Sequence, residues 1–183
     1  DAPRRGGGLA RCARLTTPAR RDTKASVSAI SDRARARLRA ILGDDGVVTA
    51  AFDMEPYTHD ETEDLVFPPE IVVRPANTAE IAAVLRLANE ERIPVTPRGG
   101  GTGLSGGALA VRGGIVLSLE RLNRIVEIDR ENSFVVCQPG VITEVLQNAV
   151  QGDGLFYPPD PASRGSCTIG GNLAECAGGP RAL

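Results

Sequence analysis

Residues 97–107 read PRGGGTGLSGG, with six glycines among eleven positions. Gly99, Gly100, Gly101 and Gly103 carry no Cβ, so an oxygen-bearing ligand can come up against bare main chain. Successive amides in such turns point inward and form a nest for anionic oxygens, above all those of phosphate. Thr102 and Ser105 add hydroxyl donors, and Arg98 either adds charge or braces the loop. Pro97 and short apolar runs on both sides pin the ends, which argues against a slack linker. A second stretch has the same chemistry. Pro158, Pro159, Asp160 and Pro161 make a rigid elbow, and Ser166, Cys167, Thr168, Ile169, Gly170, Gly171 and Asn172 offer amides, hydroxyls and a carboxamide. Two such regions about 60 residues apart, closing on both ends of one extended ligand, favour a dinucleotide over an isolated phosphate.

Competing phosphate motifs fail on simple grounds. A Walker loop needs GxxxxGK[ST], and the chain has no lysine after Lys24. Gly101-Thr102-Gly103-Leu104-Ser105-Gly106 matches GxGxxG letter for letter. The dinucleotide fingerprint also requires a helix opening at the third glycine. Here only Gly107 to Arg112 precede Gly113-Gly114 and an evident strand, which leaves no room for that helix. Other reactive side chains have plainer readings. His59, the single histidine, reads as a solvated loop residue rather than a base. Asp53, Glu55, Asp60, Glu61, Glu63 and Asp64 form an acidic run that reads as a solvated face as readily as a cation site. No metal site is assigned. Arg33, Arg35, Arg37 and Arg39 read as the polar face of a helix.

The elements that position the loops follow from periodicity. Residues 28–42 form an expected helix, with Ile30, Ala34, Leu38 and Ile41 on one face and Gly43 and Gly46 ending it. Residues 47–69 are mixed and acidic, closing on Phe67-Pro68-Pro69. IVVRP (71–75) is a β-branched strand, and Asn77 with Glu80 makes a capping pair for a helix running to about Arg92. Its expected apolar stripe is Ile81, Val84, Leu85 and Ala88. Further strands are expected at 93–97, 114–119, 125–129 and 134–139. VITEVLQNAV (141–150) follows as a short helix with Val141, Val145, Leu146 and Ala149 on related faces, and 152–179 reads as almost wholly irregular. The order β-α-β-(β-β-β)-α-loop implies an α+β fold, a mixed sheet carrying helices.

Bulk composition narrows the partners. The chain has 183 residues, 42% hydrophobic and 24% charged, enough for one domain with a real core. A net charge of −2 and 3% aromatics give no basic field and no stacking platform, so nucleic acid is not an expected partner. The cysteines Cys12, Cys137, Cys167 and Cys176 form no CxxC pair and read as free thiols of a reducing compartment. No apolar run reaches the roughly 18–20 residues that cross a bilayer. The expectation is a cytoplasmic protein, peripheral to a membrane at most through a partner subunit. Residues 1–26 carry six arginines by position 21 and read as a disordered or leader-like extension. The ending GGPRAL, straight after a dense glycine run, reads as a truncation.

The ordered motifs VVRPANTAEIAAVLRLANEERIPVTPRGGGTGLSGG, NRIVEID, QPGV, FYPPDPASRGSCTIGGN and AGGPRAL resemble the FAD-linked oxidases of the vanillyl-alcohol-oxidase type. Within that family the look is that of the glycolate oxidase FAD subunit and the D-lactate dehydrogenases, over about residues 47–183. The resemblance implies a PCMH-type FAD-binding domain of two α+β subdomains, the second incomplete here. The expected division is an extension (1–26), an N-terminal helix and lead-in (27–69), and a partial FAD-binding domain (70–183). It further implies that Pro97 to Ser105 wrap the FAD pyrophosphate through backbone amides. Pro139-Gly140, Pro159 to Pro161 and Ser166 to Asn172 would line the ADP and isoalloxazine regions, with Ala174, Gly178 and Gly179 near the flavin. A 2-hydroxy acid would pass hydride to flavin N5, and electrons would leave to an iron–sulfur or other acceptor subunit.

The sequence also departs from that family. Cys176 stands where the pattern has the Asn of ENAGG, which puts that carboxamide's role in doubt. His59 lies upstream of the cofactor motifs, so FAD is expected to be held non-covalently. The family's substrate arginine and histidine-rich segment have no counterpart here, and no catalytic residue is assigned. A non-catalytic nucleotide- or anion-binding module, or a truncated remnant, stays open as the alternative.

Overall fold

The computed structural model describes residues 29–181, so the expectations for 1–26, Cys12 and the last two residues lie outside the described residues. The first helix, α1 (Asp32–Leu42), starts later than the spacing implied. The Ile30 amide donates to the Glu70 carboxylate at 2.7 Å, and the Ser31 hydroxyl accepts from the Ala34 amide at 3.1 Å, which fixes the start. Ala34, Leu38 and Leu42 point inward, and Gly43 (φ 72°) ends the helix. Next come β1 (Val47–Val48), the single turn α2 (Ala51–Met54), β2 (Ile71–Val73) and α3 (Thr78–Glu90).

Asn77 caps α3 as its side chain predicts, accepting the Glu80 amide at 2.9 Å, while Glu80 reaches back to the Ala76 amide at 2.7 Å. The inward face is Val84, Leu87 and Ala88. Leu85 was expected inside and is 46% exposed, whereas Leu87 is 1% exposed. Both are apolar, so periodicity alone does not choose between them; the sheet covers the face that begins at Val84.

The remaining elements are β3 (Val95–Arg98), β4 (Ile115–Ser118), β5 (Ile125–Asp129), β6 (Phe134–Cys137), α4 (Thr143–Gly152) and α5 (Ile169–Ala174). The expected mixed sheet forms, and among the described residues a second, two-stranded sheet accompanies it. The first has the order β1-β2-β4-β3, with β4 parallel to both β2 and β3 and β1 antiparallel on the edge of β2. β2 and β4 are buried on both faces, as expected of near-continuous apolar runs. One face packs on α1 and α3 through Ile71, Val73, Ile115 and Leu117; the other buries Val72 and Val116 with Val48 and Ala110. Residues on both sides of position 70 thus share one core.

The second sheet is the β5–β6 hairpin, with a bulge near Val126. It joins no strand of the first because its inner face, Ile125, Ile128, Val135 and Cys137, packs on Val141, Leu146, Val150 and Ile169. Ile142 is extended and bridges to Thr168, which delays α4 to Thr143 and leaves Val145 53% exposed where burial was expected. α5 is a correction to the irregular reading of 152–179. It forms despite Gly170 and Gly171 because the Thr168 hydroxyl accepts the Gly171 amide at 3.3 Å and the Ile169 amide is held by the Val141 carbonyl. A Cβ at Gly170 would stand 2.7 Å from the Pro139 Cβ, so this approach needs glycine.

The two helical faces can be told apart by measurement. Leu38→Ala removes a fully buried side chain and should lower stability by about 2–5 kcal/mol, whereas Leu85→Ala should stay within about 0.5 kcal/mol. Equilibrium urea denaturation of both variants reads this directly.

Candidate functional site

β3 ends at Arg98 and β4, parallel to it, does not begin until Ile115. The connection crosses without a helix, as the crowding after Gly106 implied. It is anchored: Leu109 and Ala110 are buried, and local amides close on Gly106, Leu109 and Ala110. Its first residues press against the segment before α5. A Cβ on Gly99 would overlap the Thr168 hydroxyl, and one on Gly100 would overlap the Ser166 carbonyl oxygen. Gly101 then turns left-handed at φ 71°. Among the described residues, the amides of Gly100, Gly101, Thr102 and Gly103 donate to no backbone carbonyl.

Between the two glycine regions lies a cavity of about 860 Å³. All of Pro97 to Ser105 line it, together with Pro161, Ser166, Thr168, Gly170, Gly171, Asn172 and Ala174. The other residues singled out from the sequence do not line it. Ile169 is in the third core cluster. The Pro139 carbonyl accepts the Gly170 amide at 2.8 Å, and the Gly140 amide donates to Leu122 at 2.7 Å. Pro159 accepts from the Gln147 side chain at 2.8 Å. Asp160 pairs with Arg164 and Arg181, its amide donates to the Gly178 carbonyl, and Gly179 (φ 115°) leaves no room for a Cβ beside the Asp160 carbonyl.

Several lining residues escaped the sequence reading, chiefly Glu61 and Glu175. Glu61 belongs to the acidic run, but its amide donates to the Gly103 carbonyl at 3.1 Å. Glu175 accepts the Ser105 hydroxyl at 3.1 Å across the cavity rim. A glutamate three residues past the Gly-Gly-Asn run carried no signal of its own. Cys167 is buried, with Sγ 3.1 Å from the Thr143 hydroxyl, which in turn accepts from the Asn172 carboxamide at 2.7 Å. The Asn172 side chain is therefore spent inside the protein.

Charge is arranged unusually for an anion site. Arg98 donates to the Pro56 carbonyl at 2.8 Å, and burial pushes its guanidinium below the usual arginine value against the opposing pull of Asp60. The cavity's carboxylates, Glu61 and Glu175, are on its lining with no lysine present. Attraction for an anion must come from oriented amides rather than net charge. His59 does not line the cavity and lies 3.8 Å from Glu55. Among the described residues, the acidic run forms no group able to hold a metal, Cys137, Cys167 and Cys176 are free, and no helix is long and apolar enough to cross a membrane. Arg37 meets Glu90 and Glu91 at the C-terminal end of α3, as a polar helix face would.

The FAD binding domain family matches residues 69–183. This chain belongs to that family. Its cofactor is FAD, and the residues present fit it: amides that donate to no backbone carbonyl, glycines that let the loop sit directly on Thr168 and Ser166, and a cavity walled by both glycine regions. The chain is 47% identical over 127 residues to the glycolate oxidase subunit GlcD of Bacillus subtilis, covering 69% of this chain and 27% of that protein. It is 45% identical over 132 residues to a D-lactate dehydrogenase of Anaerostipes hadrus, covering 70% and 27%. Against D-2-hydroxyglutarate dehydrogenase of Xanthomonas citri pv. viticola it is 44% identical over 135 residues, covering 74% and 29%. The chain thus spans less than a third of these relatives' length.

Among solved structures, alkyldihydroxyacetonephosphate synthase superposes with a TM-score of 0.75 at 22% identity, over 81% of this chain and 30% of that one. p-Cresol methylhydroxylase gives 0.68 at 26%, over 77% and 28%. The FAD-binding domain therefore has the α+β, PCMH-type fold that the resemblance implied, in the company of flavin-dependent oxidoreductases.

The seating of the loop is open to test. Gly100→Ala forces a methyl onto a main-chain oxygen and should destabilise by about 1–3 kcal/mol. Gly103→Ala meets nothing within 4 Å and should change stability by less than about 0.5 kcal/mol. Thermal unfolding of the two variants separates them.

Proposed function

We propose that this chain is the FAD-holding portion of a flavin-dependent 2-hydroxy-acid oxidoreductase acting on glycolate, D-lactate or a close analogue. The observation that carries the reading is the cavity walled by both glycine regions in a domain of the FAD family. The names of the similar proteins, glycolate oxidase subunit and D-lactate dehydrogenase, support the substrate class. When bound, FAD supplies a two-electron acceptor that takes hydride at N5 from the carbon bearing the hydroxyl.

This chain's own residues bind and orient. The amides of Gly100 to Gly103 would meet the diphosphate oxygens, with Thr102 adding a hydroxyl donor, while the Ser105 hydroxyl is held by Glu175 at the rim. Ser166 to Gly171 form the facing wall, and Leu104 and Leu119 keep water from the apolar part of the cofactor. Pro139, Gly140, Pro159, Asp160, Gly178 and Gly179 hold that wall in place from behind. The single histidine, His59, does not line the cavity, which supports FAD held without a covalent bond to histidine. The hydroxyl-deprotonating group and the substrate carboxylate's partner belong to the two thirds of the relatives' length that this chain does not span, and residues 1–183 alone are inactive. Residues 70–183 form the FAD domain, preceded by the helix and lead-in at 27–69. An iron–sulfur or other electron-acceptor subunit is the proposed partner, a reading supported by the word subunit in the Bacillus relative's name. The proposed location is cytoplasmic, peripheral to a membrane at most.

Binding is measured by adding FAD to the purified chain and following flavin fluorescence and thermal unfolding. The expected outcome is quenched fluorescence and, with FAD at 100 times Kd, stabilisation of about 2.7 kcal/mol. Acid denaturation should release all flavin into the supernatant. Flavin left on the precipitated protein would overturn the non-covalent assignment, and a chain indifferent to FAD would overturn the function.

A further inference from the structure

The glycine loop is held on one side by residues 166–168 and on the other by residues upstream of the family match. Arg98, the last residue of β3, is 7% exposed, and its guanidinium fills the space into which a side chain at Gly101 would project. The loop therefore folds back over its own first side chain. Nη2 donates to the Pro56 carbonyl at 2.8 Å, and the guanidinium carbon stands 5.8 Å from the centre of the Tyr57 ring, within cation–π range. The Tyr57 hydroxyl donates to Glu120, just past β4, at 3.0 Å. A few residues on, the Glu61 amide takes the Gly103 carbonyl at 3.1 Å. The loop is thus tied at its start, at its apex and near the far end of its strand pair to one short segment.

Asp60 completes the arrangement. It is 7% exposed, its Oδ1 accepts the Thr62 amide at 3.0 Å, and its charge reaches the Arg98 guanidinium. Among the described residues, Arg98 Nη1 and Asp60 Oδ2 are both buried without a hydrogen-bond partner. A buried donor and a buried carboxylate oxygen are costly to leave unmet, and one ordered water between them would serve both. Pro56, Tyr57, Asp60 and Glu61 all precede the span 69–183 that matches the FAD family.

We propose that Arg98 and Asp60 are positioning residues for the diphosphate-binding loop, coupling segment 55–62 to the left-handed turn at Gly101. This rests on the FAD reading above and adds to it: retention of the cofactor depends on residues outside the matched domain. The pair acts through the loop's shape, since Nη2 is committed to Pro56 and Oδ1 to Thr62. A ligand with the isoalloxazine ring but no diphosphate should be indifferent to it.

The test titrates FAD and riboflavin against the whole protein and its Arg98→Met, Arg98→Lys and Asp60→Asn variants by flavin fluorescence, with hydrogen exchange of amides 99–107 followed in parallel. Arg98→Met and Asp60→Asn are expected to weaken FAD by about tenfold or more, the scale of one buried charged hydrogen bond. Riboflavin affinity should be unchanged, exchange across the loop faster, and Arg98→Lys should recover part of the FAD affinity because it keeps the charge opposite Asp60. Should Arg98→Met not fold, Asp60→Asn gives the FAD-to-riboflavin ratio by itself. Equal losses for FAD and riboflavin, or unchanged FAD affinity, would overturn the positioning role. A wild-type protein that takes up neither flavin would instead overturn the FAD reading itself.

Discussion

The structure turns on a place where the glycine loop, bare of side chains of its own, lies against the segment just before α5. At Gly99 and Gly100 the loop leaving β3 lies directly on the Thr168 hydroxyl and the Ser166 carbonyl. That contact brings the four-stranded sheet with α1 and α3 up against the hairpin with α4 and α5. It also borders the cavity, whose lining includes the residues after Gly99 with amides that donate to no backbone carbonyl. Close approach of this kind is available only to glycine, and it fixes the position of a wall to within the width of a methyl group.

Much else in the chain serves to hold those two walls steady. The bridge between Ile142 and Thr168, with the Ile169 amide on Val141, locks the second wall to the start of α4. Beneath it, Thr143, Cys167 and Asn172 form a buried polar chain whose members satisfy one another. An unpaired hydroxyl or carboxamide there would cost about 1–3 kcal/mol, so the chain is constrained to one arrangement. Burial pushes the neighbouring Cys137 thiol and Tyr157 phenol up from their ordinary values, keeping both neutral beside the hairpin's apolar face. The first wall rests on β3 and β4, two parallel strands backed by fully buried Ile115 and Val116.

The electrostatic character follows from the same geometry. With Arg98 spent on Pro56 and carboxylates of Glu61 and Glu175 on the lining, the site has no excess of positive side chains. Amide dipoles are fixed by the backbone and cost no side-chain entropy when a ligand arrives. A loop built this way binds by shape and orientation, and its affinity rests on how firmly the main chain is held.

The strands at 71–73, 115–118 and 125–129, the Asn77 cap and the glycine-rich loop at 97–107 are local properties, and β-branched runs, a capping pair and a row of glycines declare them in one dimension. The motif order likewise declared the FAD family. Tertiary structure alone decided which apolar residue faces inward when two adjacent ones qualify, as with Leu85 and Leu87, because only the position of the sheet separates them. It decided that the strands divide between two sheets, since pairing depends on what each inner face finds to pack against. It made a helix of Ile169–Ala174, where glycines argue against one, by supplying a cap and a long-range amide partner. And it brought Pro56, Tyr57 and Glu61 to a loop some 40 residues later, because a buried guanidinium and a carbonyl require partners that the loop's own glycines lack.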